Sequence, residues 1–271
     1  MNRPVDLLLI SCNRRGYLEK SLEKLLSDPS PFRLYCWDNA SRDGSAETIS
    51  TLNDPRVVGK KFAREDAGQR EPFLWFLETS ESDIVGKVDD DILVPPGWID
   101  QLAPLLRREE GFGLLGCWTF MAEDWDEGLA SPKIIEAAGS RIFRNLWIGG
   151  TAWLGRREHI IRFIKPPGKD YGVPIDQFLM TVNGLINGYP LPLLMAHHMD
   201  DPRSPHCRME KSAFSSATAR RKGIDSPEAY AGWIAADARR ILIEPLDAQI
   251  RRYRLQGDRS LWGRLRRLAC K

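Results

Sequence analysis

Residues 5–12 form a near-continuous apolar run, broken only by Asp6 and closing on Ser11-Cys12-Asn13-Arg14. A strand with so few polar positions has no face to give to water. It belongs inside a mostly parallel sheet covered by helices on both sides. The chain continues in that rhythm. Over 16–26, Tyr17, Leu18, Leu22, Leu25 and Leu26 recur at helical spacing, and Asp28-Pro29 ends the segment. A second strand is expected over 32–37, a turn cluster over 38–45 and a helix over 46–52. A third strand follows at 56–62, a helix at 72–78, and a fourth strand at 83–88 that stops at Asp89-Asp90-Asp91. Strand and helix in alternation predict an α/β sheet.

The second half is less regular. Pro95-Pro96-Gly97 opens a helix over 98–106, with Pro96 tolerated in the first turn. Strands are expected at 112–120 and 146–154, separated by an acidic stretch, 122–139, read as a loop over the site. A helix over 175–186, a proline-interrupted strand over 189–196 and a polar exit loop over 197–202 come next, then helical patterns at 209–221, 227–243 and 247–254.

With 271 residues and 42% hydrophobic content the chain can bury a full core, and its composition fits neither a disordered nor a disulfide-stapled class. Cys12, Cys36, Cys117, Cys207 and Cys270 are odd in number and lack zinc spacing, so a reducing cytosol is expected. The first six residues are too polar for a signal peptide, and the apolar run 7–10 is far short of a membrane span. The net charge of +2 hides an asymmetry: residues 201–271 carry sixteen Lys/Arg against eight Asp/Glu, leaving −6 for residues 1–200. Positive charge confined to the tail, with no groove-reading motif, argues against nucleic acid as a partner.

In an open α/β sheet, ligands bind beyond the carboxyl ends of the strands. Three polar clusters occupy such positions: 11–14, 38–45 and 89–91. Consecutive carboxylates in a partly desolvated cleft repel one another unless a cation is present. Mg²⁺ and Mn²⁺ take oxygen ligands and commonly bridge carboxylates to substrate phosphates. An isolated Asp triplet is as readily a solvated acidic turn. The buried strand before this one, and the two companion clusters, favour the cation.

The stretch from Leu7 to Ser45, followed by Gly86-Lys87-Val88-Asp89-Asp90-Asp91, resembles the family 2 glycosyltransferases. The resemblance implies a GT-A fold, a mixed α/β sheet flanked by helices, and transfer of a sugar from a nucleotide diphosphate sugar with inversion. The chain is expected to divide into a catalytic domain over 1–205 and a basic helical extension over 206–271. Within the first, 1–100 is the nucleotide-binding half and 101–205 the acceptor half. Carried over residue by residue, the resemblance places Asp38, with Asp43 in the same turn, against the nucleobase, most often uracil. Ser11, Asn13 and Arg14 lie along the nucleoside edge, Arg70 near the nucleotide, Asp89 at the ribose with Asp90 beside it, and Asp91 on Mn²⁺ or Mg²⁺. Asp176 matches the general base, although Ile175 stands where the family has Glu. A helix first-turn role is the alternative for Asp176.

Gly150 and the segment around it resemble the family's acceptor strand, where small residues let a sugar approach. Trp153 and Trp118 are candidate acceptor-stacking rings, with core packing as the other reading. His198, or else His197, is a candidate further metal ligand. The tail beyond 249 interleaves aromatic and aliphatic residues with arginines. It reads either as a peripheral contact with anionic lipid or as a solvated helix. Membrane contact would suit a lipid-linked acceptor; a glycan is the other acceptor class. A retaining transferase, a sugar nucleotidyltransferase and an inactive carbohydrate-binding module are the rival readings.

Overall fold

The computed structural model describes residues 3–164, 173–209 and 217–254. Strands β1 (Val5–Ser11), β2 (Phe32–Asp38), β3 (Val57–Phe62) and β4 (Ile84–Asp89) alternate with helices α1 (Arg15–Leu26), α2 (Ser45–Thr51) and α3 (Arg70–Thr79). Then come β5 (Ile92–Leu93), α4 (Trp98–Arg108), β6 (Phe112–Gly116), α5 (Glu127–Ala130), β7 (Ile134–Ala137) and β8 (Ser140–Arg144). They are followed by β9 (Ala152–Arg156), α6 (Arg157–Phe163), α7 (Val173–Val182), β10 (Ile186–Leu191), β11 (His197–His198), α8 (Ala217–Lys222) and α9 (Pro227–Ile243). Residues 246–254 are also helical.

Nine strands form one sheet in the order β3-β2-β1-β4-β9-β6-β10-β8-β7, and β11 pairs with β5 in a separate ribbon. The first four are mutually parallel; β9 runs against both β4 and β6. The α/β sheet expected from the sequence is therefore present, with helices on both faces. Strand alternation divides the core. Leu7 and Leu9 of β1 face Leu18, Leu22 and Leu25 of α1 and Leu102 and Leu106 of α4, while Leu8 faces Phe73 and Phe76 of α3. Each such leucine, fully buried, contributes roughly 1.5–3 kcal/mol relative to exposure. Asp6, the one charge in β1, is held by two hydrogen bonds from Arg33 and by the backbone N–H groups of Glu81 and Ser82. A buried carboxylate so fully paired is structural.

The second half departs from expectation at identifiable points. The segment 122–139 is not an open loop: it contains α5 and the strand β7, hairpinned to β8 through Ala138 and Gly139, both with positive φ. The strand expected over 146–154 begins only at Ala152, because the preceding residues cross the end of β4, where Thr151 O accepts from the Asp89 amide. The helix expected over 175–186 stops at Val182. Gly184 turns the chain with φ 90°, and Ile186 already belongs to β10. The exit loop at 197–202 begins as β11. The helix expected over 209–221 is described only as α8, since 210–216 lie outside the described residues, as do 255–271 of the tail. Helix α9 adds Ala238, Ile241 and Leu242 to the same core as β8 and β10.

Candidate active site

The carboxyl ends of β1, β2 and β4 open onto a cleft of about 560 Å³. Its wall includes Arg14, Asn39, Asp66, Asp89, Asp90 and Asp91. The three polar clusters thus meet, as parallel strands in register require. Ser11 is paired with Asp38 across β1 and β2, and Ile10 with Asp89 across β1 and β4.

The acid triplet is arranged by its neighbours. Ser11 Oγ donates to Asp90 at 2.8 Å, and Lys87, itself buried, contacts Asp89 while donating to Gly150 O at 3.0 Å. Burial, and then the charge of Asp91, push the Asp90 carboxyl up to about 7, against the opposing pull of Arg14 and Ser11. Burial likewise raises Asp89, outweighing the attraction of Lys87. Asp91 ends below the usual range: burial acts upward, but the charges of His198 and Arg14 overcome it. Two of the three acids are thus disfavoured as anions, while the third is stabilised as one by the cations around it.

The ribbon of β5 and β11 completes the cluster. His198 pairs with Ile92, next to Asp91, and the Met199 amide donates to Asp91 O at 2.9 Å. Ligand atoms of Asp91, His198 and Asp200 lie within 4.8 Å of one another. Asp91 Oδ1 is buried and has no hydrogen-bond partner. A buried carboxylate oxygen left unpaired beside a second carboxylate and an imidazole fits a divalent cation, which takes O and N donors. Arg14 reaches the same acids, with Nη1 2.6 Å from Asp91 Oδ2 and Nη2 2.6 Å from Asp200 Oδ1. His197, the neighbour of His198 in β11, points the other way, its ring 4.8 Å from that of His206. Adjacent strand residues face opposite sides, so only one of the two histidines can join the acids.

The profile of the family described as glycosyl transferase family 2 matches residues 6–160, more than half the chain. The chain belongs to this family. Solved structures agree on the fold, and it is GT-A. A mannosyltransferase, PcManGT from Pyrobaculum calidifontis in complex with GDP-Man and Mn²⁺, is 16% identical, with a TM-score of 0.60 over 100% of this chain and 81% of that one. S. aureus TarS 1-349 is 12% identical, with a TM-score of 0.58 over 73% of this chain, and the present chain spans only 61% of its length. The same TarS fragment in complex with UDP-GlcNAc matches with 12% identity and a TM-score of 0.56 over 88% of this chain and 72% of that one. No curated protein matches by sequence.

Within this glycosyltransferase the residues singled out in the sequence fall into three groups. Arg14, Asp89, Asp90 and Asp91 line the cleft, and His198 adjoins it. Ser11, Asn13, Asp38 and Asp43 do not line it. Ser11 is buried and turned to Asp90; Asn13, at φ 52°, accepts from the Arg42 amide; Asp43 accepts from the amides of Arg15 and Ser45. Asp38 lies buried under the same turn, accepting from the Ser41 amide, with its other oxygen unpaired. These four hold the loops that the cleft is made from, and Asn39 and Asp66 stand at the wall instead. Asn39 donates to Asp66 at 2.5 Å and to Gly68 O at 3.1 Å.

The third group is displaced further. Arg70 and Asp176, selected for separate roles, form an ion pair at 2.6 Å, both nearly buried. Gly68 and Gln69, which line the cleft, immediately precede Arg70 in the chain. Trp118 and Trp153 are at most 1% exposed and present no ring face to solvent. Trp118 is enclosed by Phe120, Trp125, Phe143 and Tyr189, and Trp153 meets Phe73 edge-on. Neither can stack on a sugar; both are core. Gly150 behaves differently, since a Cβ there would meet nothing within 4 Å. Asp200 is not among the residues singled out as ligands in the sequence; it reaches the group because the chain turns at Met199-Asp200, where the Asp200 amide donates to His198 Nδ1. Asp66 gave no signal, because it lies in a loop whose return to β2 depends on Asn39.

Proposed function

We propose that this enzyme transfers a sugar from a nucleotide diphosphate sugar, with UDP the leading candidate nucleotide, to a hydroxyl of a glycan or lipid-linked acceptor, with inversion. The observation that carries the reading is the grouping of Asp91, His198 and Asp200, whose ligand atoms lie within 4.8 Å of one another, with the buried Asp91 Oδ1 left without a partner. Those three residues would hold Mn²⁺ or Mg²⁺, whose charge offsets that of the departing diphosphate. The TarS and PcManGT complexes with UDP-GlcNAc and with GDP-Man and Mn²⁺ support the donor class.

The chain's own residues do the rest. Asn39 and Asp66 hold the base and ribose end of the donor, and Asp38 supports their turn from beneath. Gly150 leaves open space beside Asp89 and Lys87, where an acceptor approaches the backbone. Asp176 takes the proton of the acceptor hydroxyl as its oxygen bonds to the anomeric carbon and the bond from that carbon to the phosphate oxygen breaks. Arg70, 2.6 Å away, positions Asp176. Asp176→Asn should lower turnover by roughly two to four orders of magnitude while leaving nucleotide affinity nearly intact. Unchanged turnover would remove Asp176 from the mechanism. A thermal-shift screen of UDP and GDP with and without Mn²⁺ identifies the nucleotide; stabilisation by neither would defeat the donor assignment.

The basic tail lies mostly outside the described residues, and no helix among those described is long and apolar enough to cross a membrane. Peripheral attachment at the inner face of a membrane, and a cytoplasmic location, remain part of this proposal and are tested by sedimentation with anionic vesicles.

A further inference from the structure

We propose that Arg14 is a tethered counter-cation of the Asp91, His198 and Asp200 group, one that yields its place to the divalent ion and then pairs with the donor's diphosphate. The inference rests on the metal and nucleotide reading above. Its basis is position. The guanidinium bridges two of the three ligand groups, Asp91 and Asp200, at 2.6 Å each, and Asp90 lies 3.9 Å away. A planar fork with several N–H donors can span two separate carboxylates in this way, and it stays protonated throughout the accessible pH range.

The same geometry makes coexistence with a divalent ion costly. Asp91 Oδ2 and Asp200 Oδ1 are the oxygens that Arg14 engages. An ion shared by these two carboxylates, whether on the engaged oxygens or on the unpaired Asp91 Oδ1, would stand a few ångströms from a positive charge that cannot be shed as a proton. Like charges at that separation repel strongly in a partly desolvated cleft. Arg14 must therefore move. Its backbone is anchored, since Arg14 O accepts the amides of Tyr17 and Leu18 at the start of α1, and its guanidinium lies 4.2 Å from the Tyr17 ring. The side chain has one open direction: it is 29% exposed and already forms part of the cleft wall. Turned into the cleft, it can pair with the donor's diphosphate, a group that arginine recognises well.

Two properties follow. The acids are partly neutralised before metal arrives, so the site tolerates the metal-free state. Metal and nucleotide also favour each other, because the ion frees Arg14 and the diphosphate gives it a new partner; such coupling is reciprocal.

Calorimetric titration of Mn²⁺, and separately of whichever of UDP and GDP the wild type binds under saturating Mn²⁺, tests this on wild type, R14Q and R14K. R14Q should bind Mn²⁺ roughly tenfold more tightly than wild type when no nucleotide is present, because the competing cation is gone. It should bind the nucleotide roughly tenfold more weakly. R14K, whose single ammonium cannot span both carboxylates, should fall between in both titrations, and it keeps the comparison readable if R14Q does not fold. Mn²⁺ affinity in the variants equal to or weaker than in wild type overturns the role of Arg14 while leaving the metal site standing. A wild type that binds neither Mn²⁺ nor nucleotide overturns the functional reading and this inference with it.

Discussion

The two halves of the sheet treat their buried polar groups in opposite ways. At the ends of β1, β2 and β4, carboxylates are left short of partners: one oxygen each of Asp38 and Asp91 is unpaired, and Asp90 is pushed up to about 7 by burial and by Asp91. Around β8, β10 and α9 the corresponding groups satisfy one another. Asn145 accepts from Lys133 at 2.9 Å and from Gln249 at 2.8 Å, and donates to Trp147 O. Asn187 accepts from the Leu114 amide and donates to Gln177 O, while Gln177 clamps the backbone of Ile148 from both sides. Among these groups, a buried carboxylate oxygen beside other acids and an imidazole can take a cation, whereas the mutually bonded amides hold the fold.

That contrast predicts which substitutions cost activity and which cost stability. The largest effect should come from Asp91→Ala, which lowers sugar transfer on the order of a thousandfold or more and removes the Mn²⁺-dependent thermal shift with nucleotide. Its melting temperature without ligand should fall little, because the substitution also relieves repulsion with Asp90. A large loss of unliganded stability would break the contrast.

Asn145→Ala should do the reverse. It removes one partner each from Lys133 and Gln249 and costs about 2–4 kcal/mol in urea unfolding, with nucleotide affinity unchanged in the folded fraction.

Lys133 sharpens the same point through pH. Burial lowers its ammonium from the usual lysine range to about 8. The unfolded chain therefore holds this proton more tightly than the folded one. The cost of burying the charge is fully present below about pH 8, and stability rises as pH climbs from there towards the unfolded value. The difference between wild type and Lys133→Met should follow that slope, spanning on the order of 3 kcal/mol. A pH-independent difference would mean that the charge is not the term that matters.

The smallest effect is expected at Gly150. Gly150→Ala should change stability by less than about 0.5 kcal/mol, since the added methyl meets only open space. It should nevertheless raise the acceptor KM several-fold if an acceptor occupies that space.

The first half of this fold was legible in the sequence because its signals are local. Apolar runs that end in polar turns identify both strands and their functional ends, and the Asp89-Asp90-Asp91 triplet follows one directly. The second half depends on contacts that are distant in the chain. Trp118 and Trp153 look like sugar platforms from composition alone, yet β6 and β9 bury them among aromatic rings supplied from elsewhere. The hairpin of β7 and β8 was hidden in an acidic segment whose strands are short, and Asp66 reaches the cleft only because Asn39 ties its loop back to β2. The partnership of Arg70 with Asp176 spans 106 residues, and no periodicity announces it.

The central claim is that Asp91, His198 and Asp200 hold a divalent cation against the diphosphate of the donor. Anomalous diffraction at the manganese edge, from crystals grown with Mn²⁺ and the nucleotide diphosphate that stabilises the protein, tests it most directly. The account predicts one strong peak within bonding distance of all three side chains, with phosphate oxygens completing its shell and Arg14 turned away from the acids. Ordered nucleotide in the cleft with no metal peak there, and Arg14 still bridging Asp91 and Asp200, would contradict it.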